Sequence, residues 1–201
     1  MSCDIYNIIL SKLNKCIRIL DYGFIDDNKS YEYIFKNAEV LRNQKLKIHC
    51  INVNKTYIND LNNKVTEFNL ENNVLFDTNS LFSISNTETY NTIIFHELFS
   101  LYREDDITLM IDKIKMLNID LFIFVNSVII YQSQYLYHPL SLIKYLLNYI
   151  FNRSFFKPIY LTDIYEFLRN CKIKVIDGYR INTLNVPTYP IDYFIISAVF
   201  M

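Results

Sequence analysis

The stretch CIRILDYGFIDDNKS, residues 16–30, shows most directly how this chain folds. It begins with a continuous run of apolar and β-branched residues of strand length, followed by Asp21, a glycine at position 23, and the acids Asp26 and Asp27. A buried strand that ends in a glycine turn is typical of an α/β protein in which a ligand lies against bare backbone. The chain contains only two glycines in 201 residues, so Gly23 is expected to serve a backbone requirement.

The composition is that of a folded protein without a strong charge. The chain has a net charge of −1, and 51% of its residues are apolar, which gives no overall attraction to nucleic acid or to a membrane surface. The length predicts a single domain spanning residues 1–201. Abundant Asn, Ile, Lys and Tyr with little Gly suggest an A+T-rich genome, such as that of a large DNA virus. No secretory signal or membrane-spanning segment is evident, which predicts a cytoplasmic protein.

Cysteine and histidine spacing predicts neither disulfides nor a metal site. The four cysteines show no C-x-x-C spacing, and the three histidines, at positions 49, 96 and 138, are distant from one another. Zinc sites usually place such ligands in closely spaced pairs.

Strand-length apolar runs alternate with helical patterns five times along the chain, and two strands then end it. Continuous apolar strands between helices predict a parallel sheet covered on both faces. The loop between the last two strands is too short for a crossover, so they are expected to pair antiparallel. The predicted fold is therefore an α/β protein: a three-layer α/β/α sandwich with a mostly parallel seven-stranded sheet and an antiparallel last strand. The predicted strands are 16–20, 46–53, 72–77, 90–98, 120–130, 172–181 and 191–200, and the predicted helices are 4–15, 30–44, 55–68, 104–117, 139–151 and 161–171.

This order of elements resembles that of the class I S-adenosylmethionine-dependent methyltransferases over nearly the whole chain. ILDYG (19–23) resembles the first motif of that family, and HCINVN (49–54) stands where its second strand ends. LFDTNSLF (75–82) resembles the segment that passes under the adenine, and YNTIIFHELFSLY (90–102) resembles the fourth strand. Residues 161–181 and the final strand resemble the family's late helix and reversed hairpin.

The resemblance implies a cofactor site at five positions: Asp21, Gly23, Asn52, Asp77 and His96. Gly23 would let the amino acid end of the ligand approach the backbone. Asn52 replaces an acid that accepts hydrogen bonds from both ribose hydroxyls, Asp77 could meet the adenine amino group, and His96 would face the methyl donor. Two alternatives stay open, because Asp21 also suits a cap of the following turn and His96 also suits an ordinary loop position.

The first turn departs from the family pattern in a way that predicts weakened cofactor binding. Phe24 and Ile25 follow Gly23 where the family uses further glycines, and Asp26 and Asp27 bring negative charge to where the ligand's carboxylate would lie. Together with Asn52, these changes favour the absence of a cofactor over weak binding of S-adenosylmethionine.

The helix predicted from 139 to 151 is apolar on more than one face. A sheet buries only one face of a helix lying on it, and soluble monomers seldom expose a large apolar patch. Tyr145 and Tyr149 are therefore predicted to contact another chain, either a second copy or a catalytic partner.

Three functions fit these features. The first is a degenerate, non-catalytic methyltransferase-like protein that stabilises or regulates a partner subunit, in viral RNA cap methylation or another RNA modification, with RNA contacted only indirectly. The alternative is an active S-adenosylmethionine-dependent methyltransferase with an atypical cofactor loop, for which positioning supplies most of the catalysis. The third is a structural or virion scaffold protein.

Overall fold

The computed structural model describes residues 18–23, 31–129, 161–181 and 191–201. Within these ranges, seven strands form one sheet in the order β3-β2-β1-β4-β5-β7-β6. Strands β1 to β5 pair in parallel, and β7 lies antiparallel between β5 and β6. This confirms the predicted mixed sheet with its antiparallel last strand. The strands are β1 (Arg18–Gly23), β2 (Lys47–Ile51), β3 (Val74–Phe76), β4 (Thr92–His96), β5 (Leu121–Ile129), β6 (Ile173–Ile181) and β7 (Ile191–Phe200).

Helices cover both faces of the sheet. One face packs against α1 (Glu32–Lys36), α2 (Ala38–Asn43) and α3 (Ile58–Glu67). The other packs against a 3₁₀ turn (Leu81–Ser83), α4 (Leu98–Leu101), α5 (Glu104–Met116) and α6 (Leu161–Asn170). Because both faces are covered, every residue of β4 is buried, as expected for a central parallel strand. We call these the α1–α3 face and the α5–α6 face.

Two helical features differ from the sequence prediction. The helix expected over 30–44 is interrupted at Asn37, whose side-chain amide and backbone N–H both donate to the carbonyl oxygen of Tyr33. Asparagine side chains compete with the helical ladder in this way, so α1 ends and α2 begins at Asn37. The sequence pattern also missed α4 and the 3₁₀ turn, because three or four residues are too few to show a helical period.

Some predictions fall outside the described residues. The helix at 139–151, its proposed contact residues Tyr145 and Tyr149, and the altered turn residues Phe24 and Ile25 all lie there. None of the helices in the described ranges has the length and apolar character that a bilayer crossing requires.

The strand order fixes where a ligand would bind. Chain order runs outward from β1 through β2 to β3 on one side, and from β4 to β5 on the other. Strand order therefore reverses between β1 and β4. In open α/β sheets, ligands bind beyond the carboxyl ends of the strands at this switch point.

Candidate functional site

The structure places all five predicted cofactor residues along the carboxyl-end edge of the parallel strands. Gly23 and His96 end β1 and β4 and are register partners. Asp21 lies two residues before Gly23, Asn52 directly follows β2, and Asp77 directly follows β3. Along this edge the residues follow the order of the strands: Asp77 after β3, Asn52 after β2, Gly23 at the end of β1 and His96 at the end of β4. The switch point lies between Gly23 and His96.

Asp21 and His96 form a buried acid–histidine pair at the switch point. Asp21 pairs in register with Ile94, and His96 is two residues further on, so both side chains lie on the same face. The Nε2 atom of His96 is 3.0 Å from Oδ1 of Asp21, and their side chains are 2% and 1% exposed. This contact does not have the geometry of a hydrogen bond.

Tyr33 of α1 forms a hydrogen bond with the other oxygen of the same carboxylate. Its hydroxyl donates to Oδ2 of Asp21 over 2.5 Å, and the tyrosine is itself buried. Both carboxylate oxygens therefore have a neighbouring side chain from within the protein. The pKa of the nearby Cys50 thiol is raised well above its usual value, first by burial and then by the charge of Asp21.

Asn52 has the strained backbone expected of a residue that turns the chain sharply at a strand end. Its φ is 61°, in the left-handed region that Asn tolerates better than most residues. Its N–H donates to the carbonyl of Asn79 over 2.8 Å, and its side chain is partly exposed. The side chain thus lies just beyond the carboxyl end of β2.

Asp77 lies in a local turn and beside a histidine. Its Oδ1 accepts the backbone N–H of Asn79 at 2.9 Å, and its Oδ2 accepts the Asn79 side-chain amide at 2.5 Å. The same Oδ2 is 3.6 Å from Nε2 of His49, and the Asp77 side chain is 27% exposed. His49 alternates with Ile48 and Cys50, which pack on the α1–α3 face, so the His49–Asp77 pair lies on the α5–α6 face.

A chain of hydrogen bonds extends from His49 that sequence reasoning missed. Nδ1 of His49 is 2.6 Å from the hydroxyl of Tyr90, which in turn donates to Oε2 of Glu88 over 2.5 Å. Burial lowers the pKa of His49, an effect opposed by the charges of Asp77 and Glu88. Burial also raises the pKa of Tyr90. One sequence signal could have revealed this chain. It is the polar His49 inside the apolar run of β2, together with Glu88 and Tyr90 just before β4.

A second polar cluster lies beyond the carboxyl end of β4, beside the second half of β5. Glu97 has a φ of 54°, and its Oε2 accepts the Ser100 hydroxyl at 2.9 Å. The side-chain amide of Asn126 donates to the same serine oxygen at 3.1 Å. The side chains of these residues thus bond to one another on the β5 side of the switch point.

The two ends of this edge differ in exposure. Asn52 and Asp77 lie just beyond the carboxyl ends of β2 and β3 and are partly exposed. The one acid of β1, Asp21, is buried, with Tyr33 bonded to one of its oxygens and His96 against the other. In the described ranges no three His, Cys, Asp or Glu residues are grouped to hold a metal ion.

Comparison with solved structures identifies the fold class. The chain superposes on the magnesium protoporphyrin IX methyltransferase of Synechocystis PCC 6803 with bound S-adenosylhomocysteine, with a TM-score of 0.68, 14% identity, and coverage of 99% of this chain and 83% of that one. It is also similar to the 1,6-didemethyltoxoflavin-N1-methyltransferase of Burkholderia thailandensis, with a TM-score of 0.64 and 12% identity over 98% of this chain and 77% of that one. The chain has the Rossmann-like fold of class I S-adenosylmethionine-dependent methyltransferases.

The same fold also supports other chemistry. The [4+2]-cyclase SpnF matches with a TM-score of 0.70 and 11% identity, over 98% of this chain and 80% of that one. No protein-family model matches the sequence, and no curated protein is significantly similar to it. The fold alone therefore does not assign an activity.

Proposed function

We propose that this chain keeps the nucleoside half of an S-adenosylmethionine site, has lost the amino acid half, and acts as a non-catalytic partner of another protein. The observation that carries this proposal is the buried contact of Asp21 with His96 and Tyr33. The Asp21 carboxylate is only 1% exposed, with Tyr33 bonded to one oxygen and His96 against the other, so a ligand's ammonium group would have to displace these neighbours to reach it.

The sequence of the first turn supports the same conclusion independently. Phe24 and Ile25 bring side chains to positions where the related enzymes use glycine, and a Cβ there would hinder approach of the ligand to the backbone. Losing a few hydrogen bonds at roughly 1 kcal/mol each moves a micromolar site toward the millimolar range, since each 1.4 kcal/mol is about tenfold in affinity.

The partner role rests on sequence. The apolar helix pattern at 139–151 with Tyr145 and Tyr149 suits a contact with another chain. A role beside a catalytic subunit in RNA modification, including viral cap methylation, belongs to this proposal, as does a location in the cytoplasm. The matched test replaces Tyr145 or Tyr149 with Glu and measures the mass of the purified protein in solution. A dimer that dissociates in both variants supports self-contact, whereas an unchanged mass contradicts it.

Calorimetric titration with S-adenosylmethionine and S-adenosylhomocysteine tests the cofactor part. We expect dissociation constants of hundreds of micromolar or weaker. A low micromolar dissociation constant for either ligand would contradict the proposal that the amino acid half of the site has been lost.

The second candidate is an active methyltransferase with an atypical first turn. The observation that favours it is that Gly23, Asn52, Asp77 and His96 all lie along the carboxyl-end edge, while proteins of the same fold are known with S-adenosylhomocysteine bound. Methyl transfer depends mainly on positioning, so it needs no general base. A low micromolar constant in the titration would favour this candidate.

A further inference from the structure

We propose that a cavity at the amino ends of β1, β2 and β3 binds a free α-amino acid with an apolar side chain. The carboxylate of this ligand lies between Arg18 and Lys47, and its ammonium group lies against Glu71. The cavity is at the edge of the sheet opposite to the carboxyl-end edge, so this inference does not depend on the proposed half-site.

The cavity has a volume of about 180 Å³ and is partly open to solvent. Its lining comes from the first residues of β1, β2 and β3 and from the loops before β3 and β4. Leu75 also lines it and is 55% exposed, so the described helices leave this corner of the sheet uncovered. An apolar cavity of about 150 Å³ can hold one benzene molecule. The space here therefore suits a small ligand whose polar end extends toward the open side.

Two neighbouring cations lie at the cavity without an acidic partner. Arg18 and Lys47 are the first residues of β1 and β2 and are register partners, so their side chains leave the same face of strands about 4.8 Å apart. Neither forms an ion pair with another residue in the described ranges. The two like charges repel each other, and a carboxylate between them would accept hydrogen bonds from both.

The guanidinium of Arg18 is held in position by the loop before β4. It lies 5.3 Å from the centre of the Tyr90 ring and donates to the Thr89 hydroxyl over 3.3 Å. These contacts use one nitrogen and one face of the group, and they leave its other N–H donors for a ligand. Less side-chain entropy is lost on binding when the cation is already positioned.

Glu71 supplies the opposite charge. It lines the same cavity from the loop before β3, is exposed, and makes no ion pair among the described residues. Glu88 lines the cavity too, but its Oε2 already accepts the Tyr90 hydroxyl over 2.5 Å. The acids and the cations around this cavity are thus too far apart to pair directly. A zwitterion would neutralise both sides, whereas a simple anion such as phosphate would face the two glutamates unpaired.

The rest of the wall selects the side chain of the ligand. It is mainly apolar, and the Leu75 side chain and the Tyr90 ring both contribute to it. An apolar side chain placed against them loses contact with water, which favours binding. L-Leucine combines this side chain with both charges and is the probe for the test.

The first measurement is an NMR titration with L-leucine. We expect a dissociation constant of about 1 mM or lower, with amide shifts at Arg18, Lys47 and Val74 rather than at Gly23 or Asn52. L-Leucinamide, which lacks the carboxylate, and 4-methylpentanoate, which lacks the ammonium group, should each bind about tenfold more weakly, as expected for the loss of one charge-assisted contact.

Two variants locate the charges. Lys47→Gln should weaken L-leucine binding about tenfold and leave the affinity for L-leucinamide nearly unchanged, because the variant and the analogue remove the same interaction. Glu71→Gln should act in the same way with 4-methylpentanoate. Both side chains are exposed, so the fold should persist. The matched control is Lys174→Gln, an exposed lysine near the start of β6 and outside the cavity, which should change no affinity.

Three results would overturn the inference. The first is the absence of shift changes with L-leucine at about 10 mM, a concentration well above the expected dissociation constant. The second is equal binding of L-leucine and 4-methylpentanoate. The third is an equal effect of Lys47→Gln and Lys174→Gln. None of these results bears on the proposed half-site, which is tested with nucleoside ligands at the other edge of the sheet.

Discussion

Two acid–histidine pairs lie on opposite faces of the same sheet, and they differ in how closed they are. The His96–Asp21 pair on the α1–α3 face has a contact of 3.0 Å, both side chains are at most 2% exposed, and Tyr33 completes it. The His49–Asp77 pair on the α5–α6 face is separated by 3.6 Å, and its side chains are 13% and 27% exposed. The same residue types thus form an internal brace in one place and a more exposed pair in the other.

In the proposed function, this difference corresponds to a ligand site that keeps one half and has lost the other. The closed pair lies at the switch point, where the proposal places the lost amino acid half. The more exposed pair lies beside the carboxyl end of β3, where the proposal places the nucleoside. The predictions below test each side of this comparison.

The largest effect should come from breaking the brace. His96→Ala leaves the carboxylate of Asp21 buried without its imidazole neighbour, and we expect the loss of a partner from this buried pair to cost about 3–5 kcal/mol of unfolding free energy. Urea denaturation of the purified variant measures this loss. As a control, Asp21→Leu combined with His96→Leu removes both partners and should recover much of the stability. A loss below about 1 kcal/mol in His96→Ala, within the range of ordinary surface changes, would mean that the pair is not a brace.

A smaller loss should follow removal of the tyrosine hydroxyl. Tyr33→Phe deletes the donor to Oδ2 of Asp21, and hydrogen bonds to charged groups contribute about 1.5–3 kcal/mol. The matched control is Tyr165→Phe on α6, a tyrosine that is 36% exposed, where a change of less than about 0.5 kcal/mol is expected. Equal losses in the two variants would contradict the special role of Tyr33.

At the nucleoside end, Asn52→Asp should strengthen binding. An aspartate accepts hydrogen bonds from both ribose hydroxyls, and a gain of about 1 kcal/mol corresponds to roughly fivefold tighter binding of 5′-methylthioadenosine. The φ of 61° at this position is one that Asp also adopts. Asn54→Asp, two residues further along the loop, is the control and should leave the affinity unchanged. Weaker binding by Asn52→Asp would place the ribose elsewhere.

The smallest effect concerns pH. Burial lowers the pKa of His49 in the folded state below its usual value near 6.5, so the unfolded chain binds more protons in the window between the two values. The stability that neutral His49 provides is therefore complete above pH 6.5 and falls as the pH drops toward the folded pKa. Urea midpoints between pH 7.5 and 5 should decline less in His49→Gln than in the wild type. Parallel curves for the two proteins would argue against a buried neutral imidazole.

The sheet and the carboxyl-end edge could be predicted from sequence because they depend on patterns that extend over many residues. Continuous apolar runs mark the buried strands, and a residue after a parallel strand must lie at the carboxyl-end edge, as Asn52 and Asp77 do. The partners of those residues could not be predicted. Tyr33 lies within a helix and Tyr90 in a loop, and only the packing of these elements brings them to Asp21 and His49.

His49 shows the same limit at a single residue. Within the run Ile48, His49, Cys50 it fits an ordinary core strand, and its contact with Tyr90 joins residues 41 positions apart in the chain. Strand alternation gives the face of the sheet on which His49 lies, but not the partner that a distant loop brings to it.

The most direct test of the half-site compares S-adenosylhomocysteine with 5′-methylthioadenosine, which shares the nucleoside and lacks the amino acid end. If Asp21 is fully engaged by His96 and Tyr33, and the first turn offers no backbone approach, the amino acid end adds almost no binding energy. The two dissociation constants measured by NMR titration should then agree within about threefold, a difference of less than 1 kcal/mol. S-adenosylhomocysteine binding more than about thirtyfold tighter, or some 2 kcal/mol, would show that the amino acid half is intact and would contradict the account.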